Sequence, residues 1–198
     1  MTVVFAKELR IPERLKEVPG DKPGWYKWWA TNKTLELLLN SQYIQGKFLS
    51  DLQPYLAKQN WGREVYYQIY VGVAIKESIR DRVNWHINQR HTESCVKHGT
   101  LSTLRQTVSS LVAGCQRGVR AENATNDLID SLMIEYFAID HPIKSSEAEK
   151  TVLQIEQNEV DNRDYLLPLN IRDNKHPIVQ EFRAELKKAR SSSKRCLG

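Results

Sequence analysis

The chain has 198 residues, 40% apolar and 27% charged, with 29 basic against 24 acidic side chains and a formal charge of +5. That length can bury a sizeable core in one domain, and that balance excludes a disordered polyelectrolyte. No run approaches the roughly 18 consecutive apolar residues of a membrane span, and MTVVFAKELRIPERLK at the start carries charges inside its apolar part. With no small-residue cleavage signature either, a cytoplasmic protein is expected. Cys95, Cys115 and Cys196 are odd in number and widely spaced, and predict neither a disulfide framework nor a zinc site.

Residues 1–22 read as an extended or partly helical lead-in that closes in the turn-rich PGDKPG. The aromatic run at 24–29 predicts a strand. Asn32 is placed to cap a helix over 33–40 with Leu35, Leu38 and Leu39 on its apolar face, and a second short helix is expected at 49–58. EVYYQIYVGVA at 64–74 is the strongest strand signal in the chain. Ile75, Ile79, Val83 and Ile87 recur every four positions, which predicts a helix over 76–90 with one buried stripe. Ser102 is the expected cap of a helix that ends at Gly114, and a short helix precedes a third strand at about 131–139. Ser146, three residues before Glu149, has capping-box spacing. NIRDNKHP is loop, and Pro177 starts a final helix carried by Ile178, Phe182 and Leu186.

The order predicts an α+β domain: a small three-stranded, mainly antiparallel sheet flanked by helices. One domain over 1–198 is expected, with a helical insertion at about 31–62 and a basic helix or tail at about 177–198. In that last segment Arg183, Lys187, Lys188, Arg190, Lys194 and Arg195 can follow phosphates electrostatically.

Two strands carry related triplets, Gly24-Trp25-Tyr26 and Tyr70-Val71-Gly72. They resemble the motifs of the GIY-YIG nucleases, a family of homing endonucleases, a repair incision subunit and some restriction enzymes. Trp25 stands for the first motif's isoleucine and Val71 for the second's. In the family an arginine follows on a helix, with a histidine four residues later in many members. Arg82 and His86 resemble that pair and share one side of their helix. Arg80, at a spacing closer to the family's, is the rival. LQIEQNEV at 153–160 resembles the segment with the family's metal-ligating glutamate, which makes Glu156 the match, and Asn170 resembles an asparagine that closes the family's domain. Tyr26 and Tyr70 are 44 residues apart, further than is usual in the family, and the insertion at 31–62 accounts for the excess.

The resemblance implies a metal-dependent DNA endonuclease that hydrolyses phosphodiester bonds. Its expected catalytic residues are Tyr26, Tyr70, Arg82, His86 and Glu156, with Mg²⁺ or Mn²⁺ on Glu156. These residue types suit the task. A guanidinium matches phosphate geometry, a carboxylate gives hard oxygen to Mg²⁺, and a general base must deprotonate water. A free phenol has a pKa near 10, so Tyr26 needs help from metal-bound water, from Arg82 or Lys27, or from a relay through His86. Whether Tyr26 or His86 is the base stays open at this level. Lys27, Arg80, Asn170, Lys187, Lys188 and Arg190 are the candidates for nucleic-acid contact. One site cuts one strand, so duplex cleavage requires two sites, by dimerisation or repeated encounter. The alternatives are an inactive nucleic-acid binding module on the same scaffold and a protein-interaction domain that exposes Trp28 and Trp29.

Overall fold

The two motif strands lie side by side within a five-stranded sheet. Its strands are β1 (Thr2–Phe5), β2 (Gly24–Thr31), β3 (Lys58–Trp61), β4 (Glu64–Ala74) and β5 (Met133–Ala138), in the order β1-β5-β2-β4-β3 and antiparallel throughout. This computed structural model describes residues 2–161, 166–170 and 176–196. The three expected strands are present; the expected count of three is corrected to five. The two additions, β1 and β3, are four-residue edge strands with little burial, so neither has the alternation that marks a strand in sequence. They form because β5 and β4 offer them unpaired edges. β3 joins β4 through Gly62 and Arg63, and the positive φ of Gly62 (65°) suits a two-residue hairpin.

The helices are α1 (Pro12–Lys16), α2 (Asn32–Leu39), α3 (Leu49–Leu52), α4 (Ile79–Asn88), α5 (Glu93–His98), α6 (Thr103–Val112), α7 (Gly118–Asp130), α8 (Ser146–Val160) and α9 (Pro177–Arg195). The segment expected as a purely helical insertion therefore also contributes β3 to the sheet. Two caps sit one residue earlier than the spacing suggests: Thr31 caps α2 and Ser145 caps α8, each accepting a backbone N–H from the first turn. Ser102 caps α6 as expected. The loop expected at NIRDNKHP falls mostly on residues outside those described.

Pairing of Tyr26 with Gly72 and of Trp28 with Tyr70 sets Tyr26 and Trp28 on one face of the sheet, and Trp25 and Lys27 on the other. A bulge follows Trp28: Trp29 pairs with Gln68, which leaves Ile69 as an extra residue of β4. The main core lies on the Tyr26–Trp28 face, where Trp28, Leu35, Leu38, Ile79, Val83, Ile87 and Phe182 are fully buried. Each such aliphatic side chain contributes about 1.5–3 kcal/mol over leaving it exposed. Ile79, Val83 and Ile87 are the stripe read from the sequence. Trp28 and Trp29 are both buried, so they form no exposed apolar patch.

Past Tyr67, β3 no longer covers β4, and residues 166–170 take its place. The Leu169 N–H donates to Ile69 O at 3.0 Å. Asn170 accepts from the Val71 N–H and donates to Val71 O, both at 2.8 Å. Cys115 and Cys196 form a disulfide, Cα–Cα 5.5 Å, which corrects the expectation of unpaired cysteines. Their separation of 81 residues hid a proximity that only the packing of α9 beside α6 creates. No helix among the described residues is long and apolar enough to cross a membrane.

Candidate active site

Tyr26 reaches its position because both motif glycines remove a Cβ where backbones come close. A side chain at Gly72 would collide with the Tyr26 phenol, which lies across the β4 backbone. A side chain at Gly24 would strike the carbonyl of Phe137 on β5 and the end of Ile79 on α4. The phenol is thus held between Gly72 on β4 and His86 on α4. Its hydroxyl lies 2.6 Å from Nε2 of His86, whose Nδ1 lies 2.8 Å from Oγ of Ser102. Tyr26, His86 and Ser102 are all buried.

Burial holds the Tyr26 phenol well above its ordinary pKa range; the neighbouring Tyr70 and Glu156 add to this, and Arg82 opposes it. Burial also pulls His86 down to about 3, with Arg82 and then Arg105 adding to the effect. The imidazole is therefore neutral at neutral pH, with one ring nitrogen a donor and the other an acceptor.

Tyr26, Tyr70, Arg82, His86 and Glu156 all line one cavity of about 240 Å³, together with Val73, Trp85, Leu101 and Thr103. Four elements supply the five: β2 and β4 the tyrosines, α4 the arginine and histidine, and α8 the glutamate. The Arg82 guanidinium bonds Glu77 Oε1 at 2.7 Å through Nη2 and lies 4.9 Å over the Trp85 ring. Its Nε is buried with no hydrogen-bond acceptor. The residue nevertheless lines the cavity, and a guanidinium in a polar cavity suits an incoming oxyanion.

Glu156 is half-buried on α8 and is the sole carboxylate among the cavity-lining residues. No group of three or more His, Cys, Asp or Glu side chains gathers as a metal cage among the described residues. One carboxylate beside two phenols nevertheless fits Mg²⁺, a hard cation that keeps several waters and takes one or two carboxylates plus substrate oxygens.

The expected nucleic-acid contacts do not gather at this cavity. Arg80, two residues from Arg82 on α4, donates to Val18 O at 2.8 Å and to Lys16 O at 2.7 Å, fastening the lead-in segment. Lys27 forms an ion pair with Glu159 at 2.8 Å, and Glu159 also accepts from Gln68 at 3.1 Å. The side-chain amide of Asn170 is engaged with β4. Arg190 donates to Thr103 O at 3.0 Å and to the Thr107 hydroxyl, which ties α9 to α6; burial lowers its pKa. Lys187 and Lys188 are exposed on α9, Lys188 paired with Glu185.

Sequence reasoning missed several residues of the site. Trp85, Leu101 and Thr103, which line the cavity, had no distinguishing signal. Arg105 is fully buried; its guanidinium donates to the carbonyls of His86 and Ile87, at 3.3 and 3.2 Å, and to Asn126 at 2.6 Å. Ser102 was legible only as a helix cap.

The family model described as the GIY-YIG catalytic domain matches residues 24–192, from the first motif glycine into α9. No curated protein and no solved structure matches the chain.

Proposed function

The chain belongs to the GIY-YIG catalytic-domain family, and on that premise we propose that it is a metal-dependent DNA endonuclease acting through Tyr26, Arg82 and Glu156. The observation that carries this reading is the convergence of five residues from four elements on one small cavity.

In this reading a phosphate of DNA enters against Arg82. The guanidinium, which lines the cavity, balances the charge that builds on the phosphoryl oxygens in the transition state. Glu156 would hold Mg²⁺ or Mn²⁺, which would supply Lewis acidity when bound. Tyr26, clamped against Gly72, presents its hydroxyl to the attacking water. Tyr70 brings a second hydroxyl to the same cavity. His86 stays neutral behind Tyr26, so the cavity gains no extra cation from it.

A supercoiled-plasmid assay tests the proposal. Nicking is expected with Mg²⁺ or Mn²⁺ and absent with chelator, and the Arg82→Ala protein should bind DNA without nicking it. Binding by the unmodified protein with no nicking under any divalent metal would sink the proposal in favour of an inactive binding module.

A further inference from the structure

His86 contacts Tyr26 through one ring nitrogen and Ser102 through the other, so which nitrogen carries the proton decides what the imidazole does to the phenol. Ser102 resolves the choice. It is fully buried, and its Oγ already accepts the backbone N–H of Arg105 at 3.3 Å as the cap of α6. A serine hydroxyl has one proton to donate. Among the described residues the sole acceptor in reach is Nδ1 of His86 at 2.8 Å. In the opposite arrangement Nδ1–H would donate to Ser102, and the serine proton would be buried with nothing to receive it.

We propose that Ser102 is a positioning residue: its hydroxyl donates to His86 Nδ1, fixes the imidazole as the Nε2–H form, and makes His86 a hydrogen-bond donor to the Tyr26 oxygen. The phenolic proton then faces the cavity. The imidazole then takes no proton from the phenol, and no imidazolium forms. This agrees with the surroundings of His86, where burial, then Arg82 and Arg105, disfavour a positive charge on the ring. The catalytic consequence rests on the nuclease reading; the protonation state of the ring does not.

The test is nitrogen NMR of the full chain labelled with ¹⁵N-histidine, the His86 signals assigned by their loss in His86→Gln. At neutral pH the proton is expected on the nitrogen that couples to both ring C–H groups, Nε2. Ser102→Asp keeps an oxygen to cap α6 but offers Nδ1 no donor. It is expected to move the proton to Nδ1 and to slow nicking by about 10²–10⁴-fold, the range for a displaced proton-transfer geometry. Ser102→Asn, of the same size, caps through its oxygen and donates through its amide, and should keep the Nε2–H signal with most of the activity. An Nδ1–H signal in the unmodified protein would overturn the assignment of Ser102, whether or not any variant folds. So would an Nε2–H signal that persists in Ser102→Asp. A protein with the Nε2–H signal that never nicks DNA would support the role of Ser102 while faulting the nuclease reading alone.

Discussion

β2 sends consecutive side chains, Tyr26 and Lys27, into two polar clusters of opposite character. Lys27 joins a closed one: Glu159 takes its ammonium and the Gln68 amide, and nearby Glu135 accepts from the Trp29 indole at 3.2 Å. Burial raises the Glu135 pKa, with Lys27 opposing. Tyr26 joins an open one. There Arg82 and the half-buried Glu156 border a cavity of about 240 Å³ with Tyr26 and Tyr70. Both clusters cost desolvation; the first is offset by its own ion pair and hydrogen bonds, and the second borders a cavity. The same contrast divides α4, where Arg80 is spent on backbone carbonyls and Arg82 faces the cavity. A charge is informative about function through what it leaves unsatisfied.

Substitutions at the open cluster should affect activity, and those at the closed one stability. The largest effect is expected at Arg82. Arg82→Ala should slow nicking by about 10²–10³-fold, the range for one transition-state donor, with little change in melting temperature. Arg80→Ala should invert that pattern, losing about 1–3 kcal/mol of stability with its carbonyl bonds while cutting near normally. Equal activity losses at the two arginines would break the comparison.

Glu156→Gln should abolish metal-supported turnover while DNA binding persists or tightens, since it removes a negative ligand and keeps the volume. Calorimetric Mn²⁺ titration with filter binding separates the two effects. Normal turnover in this variant would remove Glu156 from the metal site. Tyr26→Phe keeps the ring against Gly72 and should lose about 10²-fold in nicking with a stability change of about 1 kcal/mol. A variant that melts several degrees lower yet cuts normally would make Tyr26 a core residue.

At the closed cluster, Lys27→Met leaves Glu159 without its cation in a site where both side chains are 17% exposed. A stability loss of about 1–3 kcal/mol with less than tenfold loss of nicking is expected in paired melts and assays. If DNA affinity fell instead, with stability intact, Lys27 would be a nucleic-acid contact after all. A further effect is expected in acid. His86 titrates near 6.5 when unfolded and near 3 when folded, so the unfolded chain takes up a proton that the native state refuses. Stability should therefore fall as pH drops below about 6.5, and His91, lowered to about 4 mainly by burial, adds to the fall. His86→Gln should reduce the slope by about 1.4 kcal/mol per pH unit between about pH 6 and 4, measured by urea melts.

Much of this was legible in the chain. β4 from Glu64 to Ala74, the stripe Ile79–Val83–Ile87 and the cap at Ser102 follow from local periodicity and from hydrogen bonds that span three residues. The triplets and their order pointed to the family that the match over residues 24–192 shows. β1 and β3 were not legible, because an edge strand of four residues is held by its neighbour rather than by its own pattern. The Cys115–Cys196 bond depends on where α9 packs, 81 residues along the chain.

What the sequence determined by itself was most of the helices, the three longer strands and a short roster of reactive side chains, since these arise from chemistry within a few residues. Tertiary structure decided which roster members meet. It set Arg82 into the cavity and Arg80 onto carbonyls, closed Lys27 with Glu159, and turned a helix cap into the partner of His86. Those outcomes depend on packing between elements far apart in the chain, where a rotation of 200° between two arginines on one helix separates a structural anchor from a cavity wall.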